Sequence, residues 1–291
     1  MAYSVEISRA NPTCFVFLLD QSTSMQDPIT AVAGSGGGVG AGTGDAARRK
    51  ADAVADALNR LLFELSLKCA KEEGVRDYFH VAVIGYGARV GSAYGGALAG
   101  RDLVPLSQVA DNPLRVEERM KKVPDGAGGL VETGARFPVW VDPAANGGTP
   151  MSQAFASAVG LVEGWVGERP GSFPPIVINL TDGESTDGDP SDHAAKLRSL
   201  GTADGQVLLF NLHVSGGQAA PVVFPAQEAG LPDDFARLLF TMSSALPPHM
   251  RSYATTQGIA VPDGGRGFVF NADITSVVQF LDIGTRATDL R

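Results

Sequence analysis

Short apolar runs punctuate the chain, and each stops at polar or glycine-rich sequence. Residues 15–19 read FVFLL and end at Asp20; residues 176–180 read IVINL and end at Thr181 and Asp182. Runs of this length predict strands buried on both faces. Residues 13–19, 78–86, 176–180, 206–214 and 267–270 are read as strands on this basis, and residues 89–94 as a short antiparallel edge strand. Between them the apolar positions change to helical spacing. Val54, Leu58, Leu61, Leu65 and Cys69 line one face of a helix expected over residues 45–73, with Asp45 as its N-cap. Met151, Phe155, Val159 and Val162 do the same over 149–167. Further helices are expected over 190–200, started by Asp189, within 232–256, broken near Pro247-Pro248, and over 274–283. Strands alternating with helices predict an α/β fold, a parallel sheet covered on both faces.

Other stretches are less regular. Residues 1–12 read as an N-terminal arm and 284–291 as a tail. Residues 31–44 (AVAGSGGGVGAGTG) read as a flexible glycine-rich loop. Residues 105–148 read as an insertion beside the end of the sheet, with a short helix over 113–122 and a hairpin over 129–141 (LVET-GA-RFPVWV).

The chemistry gathers where the strands end. Asp20 is followed by hydroxyls on alternate positions, Ser22 and Ser24. Asp182 follows the second apolar run, and Thr149 opens a helix after Gly147-Gly148. Open α/β sheets place their ligands beyond the C-terminal ends of the strands. Carboxylates and hydroxyls are the hard oxygens that Mg²⁺ takes. Taken singly, each fragment has a structural explanation. Ser22 and Ser24 suit a turn, Thr149-Pro150 suits a helix start, and Asp182-Gly183 is a common turn pair. Together, and at one sheet edge, they point to a metal site.

Asp20, Ser22, Ser24, Thr149 and Asp182 match the DxSxS…T…D pattern, and the chain from 13 to 283 resembles von Willebrand factor A (VWA) domains carrying a metal-ion-dependent adhesion site (MIDAS). The phrases GGTPM and LTDGESTDGDP are most similar to bacterial stand-alone VWA proteins of the TerY type. The resemblance implies a Rossmann-like, mostly parallel sheet of six strands with one antiparallel edge and helices on both faces. It implies metal contacts from Ser22 and Ser24, contacts direct or through water from Asp20 and Asp182, and Thr149 joining when the site is liganded. The ion implied is Mg²⁺, with Mn²⁺ or Ca²⁺ as substitutes, and an Asp or Glu of a protein partner fills its open position. TerY-like relatives add a protein kinase and a protein phosphatase of one bacterial stress-response, signalling or defence module as companions.

Composition removes other classes. The net charge is −9, from 32 acidic and 23 basic residues, which disfavours nucleic-acid and anionic-membrane surfaces. There is no cationic-then-apolar leader and no apolar run of about 18 residues, so a cytoplasmic protein is expected. Cys14 and Cys69 sit in apolar segments and are expected as buried thiols. No GxxxxGK[ST] or GxSxG occurs, and the relaxed GxGxxA at 42–47 lies too far from the first strand for a dinucleotide turn. His80, His193, His213 and His249 have no zinc spacing, and His80 and His213 are expected as structural histidines. Asp187, Asp189 and Asp192 fail the calcium-loop pattern and are expected to cap a helix at the rim of the site. The expected function is a non-enzymatic, metal-dependent adaptor. The alternative is a metal-dependent phosphatase or phosphodiesterase, disfavoured because no second metal set and no positioned base accompanies the motif.

Overall fold

The computed structural model describes residues 2–29, 48–124, 130–215 and 220–285. The glycine-rich run 31–44, the expected cap Asp45 and the last six residues of the tail lie outside them. Strand β1 (Thr13–Asp20) is buried at every position. Its side chains alternate between two cores, Phe15, Phe17 and Leu19 facing one and Cys14, Val16 and Leu18 the other. That two-sided burial is why the run is uniformly apolar. Parallel to β1 lie β2 (Phe79–Tyr86), and on its other side β7 (Ile176–Thr181), β8 (Leu208–Val214) and β10 (Phe268–Ala272). Three short antiparallel strands extend the edges: β3 (Val90–Ser92) and β4 (Val104–Pro105) on β2, and β9 (Val222–Val223) on β10. The sheet therefore has five parallel strands and eight in all among the described residues, against six with one antiparallel edge.

Helices cover both faces. The Phe15 face packs on α1 (Lys50–Cys69), α2 (Leu106–Asp111), α6 (Pro248–Thr256) and α7 (Ile274–Gly284). The Val16 face packs on α3 (Met151–Glu168), α4 (Ser191–Ser199) and α5 (Asp234–Met242). This arrangement is consistent with the VWA- or Rossmann-like fold that the sequence implies. On α1 the expected apolar face is buried throughout, and Cys69 ends the helix short of residue 73 because residues 70–75 form a tight antiparallel turn. On α3, Val159 is only half-buried; Ala154, Ala158 and Trp165 complete the buried stripe instead. Both cysteines are free and buried, and burial pushes the Cys69 thiol up to about 12.

The 105–148 segment departs most from expectation. Residues 113–122 are not a helix. Arg115–Pro124 is strand β5, paired antiparallel along its whole length with β6 (Leu130–Val139). The pairing runs out to Pro124 opposite Leu130, so Gly134-Ala135 is not the turn of the hairpin but lies mid-strand opposite Met120 and Arg119. The physical reason lies in RVEER. Glu117 pairs with Arg115 at 2.7 Å and with Arg119 at 2.9 Å, two residues to either side. Residues two apart share a face of a strand but not of a helix. Arg119 also lies over the Phe137 ring, 3.7 Å from its centroid, and ion-pairs with Asp56 on α1. At the hairpin base, Asn59 of α1 donates to the Val141 carbonyl and accepts from the Trp140 and Val141 amides.

Candidate functional site

In strand order β8–β7–β1–β2, the chain leaves β1 toward β2 and later returns to β7 on the other side of β1. The crevice between the C-terminal ends of β1 and β7 is thus the topological switch point. The register sets Leu19 beside Leu180, so Asp20 and Asp182 leave their strands at nearly one level. Four of the five expected residues meet there through hydrogen bonds. The Asp20 carboxylate accepts from the Ser22 amide (2.8 Å) on Oδ1 and from the Thr181 hydroxyl (2.8 Å) on Oδ2. Ser22 Oγ lies 2.9 Å from Ser24 Oγ, which donates to Asp182 Oδ1 at 2.7 Å. Burial raises the Asp20 carboxyl above its ordinary range; the Ser22 and Thr181 hydrogen bonds oppose this, and nearby Asp182 adds to it.

Thr149 reaches the same rim by a separate clasp. Its amide donates to Thr186 Oγ1 and its carbonyl accepts from the Thr186 amide, both at 2.9 Å. Its own hydroxyl has no hydrogen bond among the described residues. Thr149 is not the cap of α3. Pro150 holds that position, and the Asp187 carboxylate accepts from the Ser152 (3.0 Å) and Gln153 (2.9 Å) amides across the crevice. Burial tends to raise Asp187, but these amides and the Ser185 hydroxyl outweigh it and hold the carboxyl low. Asp189 accepts from the Ser191 amide at the start of α4. The expected capping is met in part: Asp187 holds the first amides of a helix remote in sequence and Asp189 an amide at the start of α4, whose N-cap is Pro190, while Asp192 lies within its first turn.

Backbone close approaches fix the loops. Gly147 has φ +81°, and a Cβ there would lie 2.4 Å from the Ala88 nitrogen. Its carbonyl accepts from both the amide and the hydroxyl of Thr23, each at 3.0 Å. The Asn146 amide donates to the Gln21 carbonyl, so the segment leaving the hairpin is laced to the loop after β1.

Sequence reasoning missed Lys50. Its ammonium lies 2.9 Å from Asp182 Oδ2 and 3.6 Å from Asp27 Oδ2. The Asp182 side chain is 0% exposed and that of Lys50 only 10%. Its position in a basic run, RRK, gave no reason to single it out. Beneath the site, Tyr86 donates to Asn179 (2.7 Å), Asn179 to Asn211 (3.1 Å) and Asn211 to Ser243 (3.0 Å), a polar chain buried throughout. His213 stacks on Phe270 and accepts from the Asn271 amide; burial, resisted by Asp182, lowers its pKa to about 4. It is a structural histidine. His80 is part-buried in β2, and burial, then Arg169, lowers its pKa.

Among the described residues no three His, Cys, Asp or Glu side chains gather as a metal cluster, and no helix is long and apolar enough to cross a membrane. The oxygens that can serve a hard cation here are the hydroxyls of Ser22, Ser24 and Thr149 and the carboxylates of Asp20 and Asp182. Neighbouring ligands of an octahedral Mg²⁺ stand about 2.9 Å apart, from metal–oxygen distances near ~2.1 Å. The Ser22–Ser24 and Ser24–Asp182 separations of 2.9 and 2.7 Å are hydrogen bonds, which hold these oxygens close enough to face one ion together.

No family model and no curated protein matches the chain. Solved structures similar to it include a von Willebrand factor type A protein from Catenulispora acidiphila, 14% identical, covering 95% of this chain and 43% of that one, with a TM-score of 0.45. The vWF domain of the type V pili tip protein Mfa5 from Porphyromonas gingivalis is 13% identical over 60% of this chain and 39% of its own (TM-score 0.31). The adhesive tip pilin GBS104 from Group B Streptococcus agalactiae is 12% identical over 60% and 46% (TM-score 0.29). The chain spans less than half the length of each. Scores of this size lend no weight to a site or a partner.

Proposed function

We propose that this protein is a VWA-type interaction module that captures an acidic residue of a partner protein through a divalent cation, Mg²⁺ or its substitutes Mn²⁺ and Ca²⁺. The observation that carries the reading is the convergence of Asp20, Ser22, Ser24 and Asp182 at the switch point, where hydrogen bonds bring their oxygens together. When bound, the ion supplies a Lewis-acidic position for an incoming carboxylate. The chain's own groups do the rest. Thr181 and the Ser22 amide hold Asp20 in one rotamer, and the Thr186 clasp presents the free hydroxyl of Thr149 at the rim. The loops laced through Gly147 keep the hydroxyls in place before any ligand arrives, which lowers the ordering cost of binding.

The reading is of an adaptor and not an enzyme, since no nucleophile–base pair stands beside these oxygens among the described residues. A cytoplasmic setting and a kinase–phosphatase stress or defence module remain part of the proposal through the TerY-like resemblance. Calorimetry with Mn²⁺ tests the site: one ion is expected to bind, and Asp20→Ala to weaken it by orders of magnitude. Unchanged affinity in that variant would remove the assignment. Metal-dependent phosphoester hydrolysis lost in Asp182→Ala would establish the enzyme instead.

A further inference from the structure

Lys50 stands where helix physics disfavours it. It is the first residue of α1, where the dipole repels a cation, and its side chain is nearly buried, where lysine is rarely found. Both costs are offset only by the carboxylates it faces. Its ammonium pairs with Asp182 Oδ2 at 2.9 Å, and Asp27 lies at 3.6 Å. The other charged or titratable neighbours are Asp20, which interacts with Asp182, and His213, whose ring feels both Asp182 and Lys50.

From this placement we infer that Lys50 is a tethered counter-charge of the cation site, one that weakens metal binding by itself and couples it to the arrival of an acidic ligand. The inference rests on the metal-site reading above. Asp20 and Asp182 contribute two negative charges. A divalent cation cancels them; Asp27, 3.6 Å from Lys50 but 66% exposed, is screened by water, so Lys50 leaves the buried part of the loaded centre with one positive charge in excess. That surplus opposes the ion, because like charges close together in a partly buried site repel strongly. A partner carboxylate cancels it, so the complete centre of metal, Lys50, two aspartates and ligand is neutral. Without Lys50 the metal would neutralise the site on its own, and the acidic ligand would gain less. Lys50 thereby makes metal and ligand depend on one another, and the coupling is reciprocal by linkage. The Lys50 stem also buries against the site, so the charge cannot swing into solvent without losing that packing.

The test is calorimetric titration of Mn²⁺ into the wild type, Lys50→Met, Lys50→Gln and Lys50→Arg, each with and without saturating acetate, and each checked by thermal melting. Lys50→Gln removes the charge and keeps a polar N–H group on a side chain one atom shorter, which guards against a Met variant that does not fold. Mn²⁺ is expected to bind at least tenfold more tightly to the neutral variants than to the wild type, and Lys50→Arg to stay within about threefold of it. Acetate is expected to tighten Mn²⁺ severalfold in the wild type and hardly at all in Lys50→Gln. Binding by the neutral variants where the wild type shows none would also support the inference. If the wild type binds Mn²⁺ and the neutral variants bind it equally or more weakly, the inference is overturned and the metal site stands. If no variant binds Mn²⁺, both fall together.

Discussion

The end of the sheet and the hairpin on α1 are both polar, yet they are built on opposite plans. At the sheet end, groups from residues 20–26, 50, 147–149 and 181–187 meet across the fold; Asp20, Ser22, Lys50, Thr149 and Thr181 are buried, while Thr23, Ser24, Thr186 and Asp187 form an exposed rim. In the hairpin, charge is satisfied close by: Arg115 and Arg119 both reach Glu117, with Asp142 and Asp56 as outer partners. Three of its apolar side chains point outward, Met120 56% exposed and Val131 and Val116 nearly as open. Together with α1 it borders a groove of about 420 Å³ lined by Arg48, Arg60, Phe63, Leu67 and Phe137. Buried polar groups held by distant segments leave nothing to relax when one is removed; exposed pairs are replaced by water.

That contrast can be broken most severely at Gly147. Gly147→Val forces a β-branched residue into φ +81° and drives its Cβ into the Ala88 backbone, and it is expected to cost about 3–5 kcal/mol. Urea denaturation measures this, and a loss under 1 kcal/mol would show that the loop adapts as freely as the hairpin does. Next comes the buried chain beneath the site. Asn179→Ala strips a partner from both Tyr86 and Asn211 and is expected to cost about 2–3 kcal/mol, lowering the melting temperature by roughly 3–5 °C.

Two rim substitutions sharpen the comparison further. Asp187→Ala removes the acceptor of two α3 amides and is expected to cost about 1 kcal/mol. Thr149→Ala, which removes no cap, is expected to stay within about 0.5 kcal/mol of the wild type while weakening acidic-ligand capture in Mg²⁺. Equal melting losses for the two would return the cap to Thr149. Smallest of all, Met120→Thr and Val116→Thr in the hairpin are expected to shift stability by no more than about 0.5 kcal/mol. A larger loss in either would mean that its side chain is covered in solution.

The same contrast governs what the sequence discloses. FVFLL and IVINL announce their strands because both faces are buried, and Asp20, Ser22, Ser24 and Asp182 follow from where those strands end, while Thr149 comes from the DxSxS…T…D resemblance. Four of these five meet in one hydrogen-bonded network, and Thr149 stands clasped at its rim. Segment 113–122 is misleading because its charged residues hide a period of two, with Arg115, Glu117 and Arg119 on one side. Lys50, and which helix Asp187 caps, could not be read locally. Each acts on a partner more than thirty residues away, one across the sheet end and one on another helix.

The parallel pairing of β1 with β7 also sets a timetable. Asp20 and Asp182 are brought together only by contacts spanning about 160 residues, such as the Thr181–Asp20 hydrogen bond. Such closures come late, since the entropy of a long loop must be lost before the contact stabilises anything. Helix α1, the hairpin and the β1–β2 pair can assemble first, while the crevice takes shape only when β7 docks. The oxygens of the crevice therefore stand together only once that long-range pairing is made, and if they hold a cation as proposed, its binding reports that folding is complete.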